Sequence, residues 1–490
     1  MLLVIAAVIV GVYSYGLLWL PPEYDEVLVT NAALNCPSNV FIEQVVWLKG
    51  QCFPVMLSSY IGGIMALPER IVFSIFGSGL LQLRVTRLVL SLTSLLFLYL
   101  SAARLKNKRF ALLFLGVLFF DFQLWSNLRF ESTVALPFLI KSFWIYCAVV
   151  FVKTKRKELL LLLGFLTALS VWAKFDAVFF YLSLLVPILI IYRDKILLFA
   201  SYWKKWIYFI LGVGIGSMPL LFYIAQNTAR FIFVGRVTGS ANVITTFYPK
   251  LRALLYHFSG YDDIWYLFRE TSVPPLFITL FLVVVISFLA LSLLSASTQK
   301  KYRVFAASVF VFALVYFFYG GLSLPHHRVL IYPVPHFLLA VYLYRKSSLL
   351  TAVFFITFFA VFLNGHMHFI DSFKRLEPKV GMTNEIYPLE QFVDSVEGNI
   401  LIGDWGITNQ LLLLSDNATQ IKEIAFAANT PMVSDFSETL TADLEACEYL
   451  VLRRPQAAIF TQADQNLRSV LSGDLVYTDK VFEVYTCNSK

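Results

Sequence analysis

Apolar runs of roughly 17–22 residues recur along this chain, each closed by a short polar or basic break, and each is long enough to cross a hydrocarbon core as a helix. Lipid offers backbone N–H and C=O groups no partner, so segments of this kind satisfy their hydrogen bonds internally, as helices. The composition agrees. Only 14% of the 490 residues are charged and 59% are hydrophobic, with a mean hydropathy of +0.73, whereas soluble domains carry about 25% charged residues. The fold class read from this is a polytopic α-helical membrane protein. The net charge of +8 does not point to nucleic acid, because the Lys and Arg residues sit in short blocks between apolar runs, the pattern of the positive-inside rule.

Five such blocks set the topology: Arg104 to Arg109, Lys153 to Lys157, Arg193 to Lys205, Lys300 to Arg303, and Arg345 with Lys346. Two apolar runs separate successive blocks, so all five fall on one side, the cytoplasmic side. The runs read as spans at 2–20, 86–103, 110–125, 133–152, 159–173, 177–192, 206–225, 274–297, 304–320, 329–344 and 348–364, about eleven in all. The first lacks a basic leader and a small-residue cleavage site and reads as an uncleaved span. The expectation is a multi-pass protein of the cell (inner) membrane, with its N-terminus cytoplasmic and its C-terminal domain periplasmic or extracytoplasmic. Residues 1–364 form the membrane domain, with long external loops at 21–82 and 226–272. Within the first loop, Phe53–Ala66 and Ile71–Phe76 read as helices lying along the membrane surface. Residues 365–490 read as a small extracytoplasmic α/β domain, because strand-like Ile400–Gly403, Tyr449–Leu452, Leu475–Tyr477 and Val481–Tyr485 alternate with helix-like stretches.

Charge is spent sparingly here, so its placement at the external ends of the spans is informative. Glu23, Asp25 and Glu26 follow the first run, and Arg129 and Glu131 lie between the third and fourth. Lys174 and Asp176 lie between the fifth and sixth, and His326, His327 and Arg328 between the ninth and tenth. Carboxylates of this kind serve as a general base or hold an acceptor, and the cations clamp an anion such as a phosphate. Cys36 shares the first loop with Cys52, and Cys447 shares the tail with Cys487. On an oxidising face these pair as disulfides; otherwise they are free thiols. No Cys or His spacing points to zinc. The 17% aromatic content reads as lipid-facing bulk and interfacial belts rather than as carbohydrate-binding surface.

Tyr24-Asp25-Glu26 after the first span, followed by Asn31-Ala32-Ala33, resembles the opening of the first external loop in GT-C glycosyltransferases. The likeness is to the group of protein O-mannosyltransferases and aminoarabinose (lipid A) transferases. Leu83-Arg84-Val85-Thr86-Arg87 is similar to that family's approach to its second span, and Trp172-Ala173-Lys174 resembles a lysine near the end of a later one. Arg129-Phe130-Glu131 resembles its Arg-x-Asp element with Glu for Asp. His327-Arg328-Val329-Leu330-Ile331-Tyr332-Pro333-Val334-Pro335 resembles an Arg-Tyr-x-x-Pro-x-x-Pro element with Val329 where Tyr is usual. The likeness runs through residues 20–340 in order and spacing.

The resemblance implies an inverting transfer of a sugar from a polyprenyl-monophosphate donor to a hydroxyl of a lipid, glycan or protein outside the membrane. It implies Asp25 as base, and Glu26 and Glu131 as groups that orient a substrate or hold a divalent metal. Arg129, Lys174, His327 and Arg328 are then the phosphate-binding cations. No cofactor is required by this reading, and metal dependence stays open. Two other classes fit lipid-linked sugars: an O-antigen polymerase or ligase, and a flippase. The flippase needs ionisable groups near the bilayer midplane, where Asp121 is the main example and falls near the outer end of its run.

Overall fold

The structure is a computed structural model that describes residues 11, 20–193, 203–239, 243–268, 274–319, 325–375, 381–415, 420–433 and 436–487. The first apolar run lies almost wholly outside these residues. The chain forms two compact units, one of residues 1–13, 59–62 and 87–372, the other of residues 14–58, 63–86 and 373–490.

The first unit is helical. Among the described residues of the chain, five helices are long and apolar enough to cross a membrane: Leu80–Leu105, Ala135–Thr154, Lys205–Thr228, Leu276–Thr298 and Ser348–Arg375. A sixth arises if the bent pair Lys108–Phe119 and Phe122–Phe130 is one span. The count of about eleven also takes in the first run and shorter apolar helices such as Ala177–Ile191, Tyr302–Phe318 and Val334–Leu343.

Several helices pack at close backbone range. A Cβ on Gly164 would stand 2.0 Å from the Phe209 carbonyl oxygen, and one on Gly212 the same distance from that of Leu161. Gly212 and Gly216 thus form a small-xxx-small face against helix Lys157–Ala173.

Three expectations for these segments are corrected. The run 110–125 is no straight span: it breaks before Asp121 and turns by 70° into helix Phe122–Phe130. A carboxylate inside an apolar run does better capping a new helix than interrupting an old one. The last span does not stop at 364 but continues to Arg375, because polar His366, His368 and Asp371 leave its backbone hydrogen bonds intact. Residues 226–272 are helical through most of their length, as Trp203–Gly239 with a break at Asn227, Val243–Leu255 and Tyr261–Phe268.

In the second unit, Phe53–Ala66 is not a surface helix. Strands Gln44–Leu48 and Gln51–Ser58 pair antiparallel, and a short 3-10 turn follows at Gly63–Ala66. Lys49 and Gly50 both have positive φ, 51° and 76°, the left-handed turn whose twist suits a two-residue hairpin. A Cys36–Cys52 disulfide ties the preceding loop to the second strand.

The C-terminal residues form a five-stranded sheet ordered 421–423, 400–402, 449–453, 482–486, 475–478. Its first three strands are parallel and its last two antiparallel to their neighbours. Ile400, Ile402, Val451 and Val484 pack on one side with Leu389, Ile407 and Leu411, while Leu401, Leu450 and Leu452 pack with Leu440, Ala463 and Leu467. Both faces are therefore covered by helices, which is why these strands read as continuous apolar runs. A Cys447–Cys487 disulfide joins the segments flanking two neighbouring strands.

One residue of this sheet sits at a cost. Glu423 is buried at the end of strand Ile421–Glu423. Burial pushes its carboxyl up to about 8, the Thr408 hydroxyl draws it down, and the Asp404 charge adds to the rise. A raised carboxyl stabilises the fold fully below its unfolded value and loses that contribution as pH climbs through its folded value. Melting temperature should therefore fall between pH 4.5 and about 8, and Glu423→Gln should flatten that fall and raise stability at pH 8.5. An unchanged pH slope in the variant would show that Glu423 does not titrate as described.

Candidate functional site

Helix Phe122–Phe130 begins at Asp121, whose Oδ1 accepts the Leu124 N–H at 3.1 Å. Its Oδ2 accepts the Tyr332 hydroxyl at 2.6 Å and His336 Nε2–H at 2.7 Å. His257 Nε2–H donates to the Tyr332 hydroxyl in turn. The same carboxylate thus starts the helix that ends at Arg129 and Glu131 and holds the segment that carries His327 and Arg328.

That segment, Pro325–Ile331, places a row of polar groups in the first unit. His326 approaches Glu131 at 3.3 Å, and His327 Nε2–H donates to Asp176 at 3.4 Å. Arg328 pairs with Asp262 and donates to Gln123 Oε1 at 3.3 Å. Lys174 donates to the Thr133 hydroxyl at 2.9 Å and acts electrostatically on Glu131 and on both histidines. Lys174 is fixed by a bridge to Ile61 and by the Phe175 N–H donating to the Tyr60 carbonyl at 2.9 Å. From helix Ala135–Thr154, the Lys141 ammonium donates to the carbonyls of Val329 and Leu330 at 3.2 and 3.0 Å, bracing the turn after Arg328.

Electrostatics within this group are set by burial. Burial pushes the Glu131 carboxyl up to about 7, against the pull of Lys174, His327 and Arg87. Burial also drives His326 well below the ordinary histidine value, with Lys174 and His327 adding to the fall. His327 is lowered by burial too, although Asp176 draws it back. For Asp176, burial is outweighed by the His327 hydrogen bond and the nearby cationic groups, so it stays below the usual carboxylate range. The pair is thus a neutral imidazole donating to an ionised carboxylate.

Of the residues expected here, Glu131, Lys174, His327 and Arg328 come together. Arg129 turns to the rings of Trp125 and Phe130, 5.6 and 4.9 Å away, while its carbonyl accepts from Arg87 at 3.3 Å. Sequence reasoning did not single out Arg87, Gln123, Asp262, His257, Tyr332, His336 or Lys141. Arg87 and Tyr332 lay inside quoted motifs, and a lysine inside an apolar run was the available signal for Lys141.

Arg328, His257 and Tyr332 also line one part of an apolar cavity of about 580 Å³, which extends past Leu289 and Leu293 to Ser297 and Arg303. Among the described residues, no group of three or more His, Cys, Asp or Glu side chains is placed to hold a metal ion.

In the second unit, the acidic stretch folds into a turn that treats its three carboxylates differently. Glu26 is fully buried and takes Arg84 in a two-pronged pair, Nε to Oε1 at 2.7 Å and Nη2 to Oε2 at 2.9 Å. Arg84 also donates to the carbonyls of Leu20 and Pro21. Glu23, buried as well, accepts the N–H groups of Asp25 and Glu26 at 2.6 and 3.0 Å. Asp25 alone of the three is partly exposed.

Side chains of the α/β region hold the loop in place. Gln410 donates to the Pro22 and Gly381 carbonyls at 2.7 and 3.2 Å, Asn409 donates to the Leu28 carbonyl at 3.2 Å, and the Tyr24 N–H donates to the Gly381 carbonyl at 3.1 Å. Gly406 has φ of +84°, and a Cβ there would stand 2.6 Å from Tyr24 Cβ, so the loop docks where only glycine fits.

The first unit thus sets a buried cluster of cations and carboxylates beside an apolar cavity, and the second presents an acidic turn. Residues 65–223 match the family described as dolichyl-phosphate-mannose-protein mannosyltransferase. No curated protein matches the chain in sequence. Its fold is that of ArnT from Cupriavidus metallidurans, solved in the apo state (12% identity, TM-score 0.62, 99% of this chain and 98% of that one). A second structure of ArnT, bound to undecaprenyl phosphate, gives 11% identity and a TM-score of 0.59 over 100% and 98% of the two chains. The Archaeoglobus fulgidus oligosaccharyltransferase, tethered with an acceptor peptide, matches at 12% identity and TM-score 0.51 over 98% and 73%.

The buried Glu26–Arg84 pair makes a stability prediction. Removing one partner leaves an uncompensated buried charge, so Glu26→Ala should cost about 3–5 kcal/mol, seen as a lowered melting temperature of the purified protein. A Glu26→Met, Arg84→Met double variant should recover most of that loss. Equal melting of Glu26→Ala and wild type would remove the pair from its structural role.

Proposed function

We propose that this protein transfers a sugar from a polyprenyl-monophosphate donor to a hydroxyl acceptor on the external face of the membrane, with inversion. The observation that carries this reading is Arg328, which lines the long apolar cavity and belongs to the Lys174, His327 and Glu131 cluster. A lipid phosphate asks for that combination: cations for the headgroup and an apolar space for the chain. The presence of undecaprenyl phosphate in the ArnT structure supports it.

In such a transfer the phosphate leaves as an anion, so cations at its oxygens stabilise the charge that develops on it. Lys174 and Arg328 supply fixed positive charge. His327, neutral and oriented by Asp176, offers its remaining ring nitrogen to a protonated partner. The acceptor hydroxyl needs a base, and Asp25 is assigned that role because it is the partly exposed carboxylate of the three. Proton transfer of this kind contributes about 10²–10⁴-fold. Glu131 is assigned to orienting the donor, since a carboxyl that titrates near neutrality accepts or donates a hydrogen bond according to pH.

Asp25→Asn should lower transfer by at least roughly 10²-fold while leaving melting temperature and membrane insertion unchanged, measured with a radiolabelled polyprenyl-monophosphate sugar in proteoliposomes. Near-normal transfer by that variant would sink the assignment. In the same assay, a requirement for a diphosphate-linked oligosaccharide would indicate a polymerase or ligase, and movement without turnover a flippase.

Glu131 supplies a pH test. Its carboxyl ionises as pH rises through about 7, adding negative charge beside an anionic donor. The donor KM should rise between pH 6 and 8 in the wild type and stay flat in Glu131→Gln. The same KM slope in both would remove Glu131 from the donor's surroundings.

A further inference from the structure

Five aromatic side chains of the second unit meet around Trp405. The Phe41 ring lies 4.6 Å from it, Phe426 5.0 Å, Phe460 6.2 Å and Tyr24 6.4 Å, and Phe426 and Phe460 touch at 5.0 Å. A ring cluster of this size is ordinarily core, but here none of the five is buried. Phe426 is 57% exposed, and Tyr24, Phe41, Trp405 and Phe460 each keep part of their surface open. Phe41 and Phe460 also pack against the apolar cores of this unit, around Val484 and Leu452 respectively, whereas Tyr24, Trp405 and Phe426 belong to neither core.

The rings stand on a rigid base. Asp404 is almost wholly buried and accepts the N–H groups of Trp405, Ile459 and Phe460 at 2.8, 2.9 and 3.0 Å, with Arg453 at 3.1 Å as its counter-ion. Arg453 also donates to the Trp405 carbonyl at 3.2 Å. Buried Asn466 donates to the carbonyls of Ala428 and Thr430 at 3.0 and 2.9 Å, fixing the segment that bears Phe426. Phe41 has φ of +50°, a left-handed conformation that costs a bulky side chain energy and persists only where its surroundings impose it. Buried charge and strain invested in holding exposed rings still are features of a built binding surface.

We propose that this surface, centred on Trp405 and Phe426, binds a sugar ring of the acceptor, so that the acceptor class is a glycan. Pyranose and furanose rings present a flat C–H face that packs on aromatic faces, while their hydroxyls need acceptors at the rim. Tyr24 lies against Trp405 and is followed directly by Asp25, the partly exposed carboxylate to which an acceptor hydroxyl would give its proton. A partly exposed carboxylate on the residue next to Tyr24 suits hydroxyl donors and opposes an anionic lipid headgroup. That the bound sugar is the acceptor, and the role of Asp25, rest on the transferase reading; the stacking surface stands on its own geometry.

The test uses the full chain in nanodiscs and saturation-transfer NMR with manno-, galacto-, gluco- and arabino-trisaccharides as probes. At least one should show transfer to its ring protons, reduced at least about fivefold in Phe426→Ser and in Trp405→Ala, a loss of the size expected when an aromatic contact is removed. Phe426 is largely exposed, so Phe426→Ser should keep the wild-type melting temperature. No transfer to any saccharide, or equal transfer in wild type and Phe426→Ser, would overturn the proposal. So would quenching of Trp405 fluorescence by brominated phosphatidylcholine, read as the difference between wild type and Trp405→Phe, because it would place lipid on the rings. Donor turnover is scored separately, so failure of the transferase reading leaves the saccharide result interpretable.

Discussion

One carboxylate organises the helical unit. Asp121 lies where an apolar run breaks by 70°, caps the helix that follows, and accepts hydrogen bonds from Tyr332 and His336. Without that break, residues 108–130 would run on as a single straight helix. Without the two hydrogen bonds, the segment bearing His327 and Arg328 would lose its anchor to helix Phe122–Phe130. A charge this deeply buried is tolerated because all its strong partners are local and buried with it. The cluster of Glu131, Lys174, His326, His327, Asp176 and Arg328 inherits its geometry from this junction, and Lys141 reinforces it from another helix.

The second unit solves a comparable problem with two further buried ion pairs. Glu26 with Arg84 fixes the acidic turn, and Asp404 with Arg453 fixes the loops around Trp405. Such pairs are weak sources of net stability, yet breaking one is costly, which suits them to holding loops in a single arrangement. The consequence is a division of labour among neighbouring carboxylates: Glu23 and Glu26 are consumed by structure and Asp25 is left partly exposed. The lipid-phosphate binding proposed for the first unit draws on both its buried cations and its apolar cavity, since a donor of that kind brings a charged headgroup and a long apolar chain.

Much of this was legible before any coordinates. Apolar run length and basic blocks gave the helical class, and the alternation in the tail located strands near 400, 449, 475 and 482. The order of Asp25-Glu26, Arg129-Phe130-Glu131, Lys174 and His327-Arg328 pointed to the GT-C superfamily. What stayed hidden depended on tertiary context. Gly62, Gly63 and Pro68 made residues 53–76 look like interrupted surface helices, because nothing local reveals that the Lys49-Gly50 turn and Cys36 make the first part a hairpin. That Glu26 is held in a buried ion pair could not be read, since Arg84 arrives from 58 residues away. The rings of Phe41, Trp405, Phe426 and Phe460 are scattered in sequence and vanish into a composition that is aromatic throughout.

The central claim is that Lys174 and Arg328 receive the phosphate of a polyprenyl-monophosphate whose chain occupies the cavity running toward Arg303. A cryo-electron-microscopy structure of the full chain in nanodiscs with undecaprenyl monophosphate tests it directly. The account predicts phosphate density within hydrogen-bonding distance of Arg328 and Lys174 and chain density between Leu289 and Leu293. Lipid phosphate bound away from both cations, with that cavity filled by its own side chains, would contradict it.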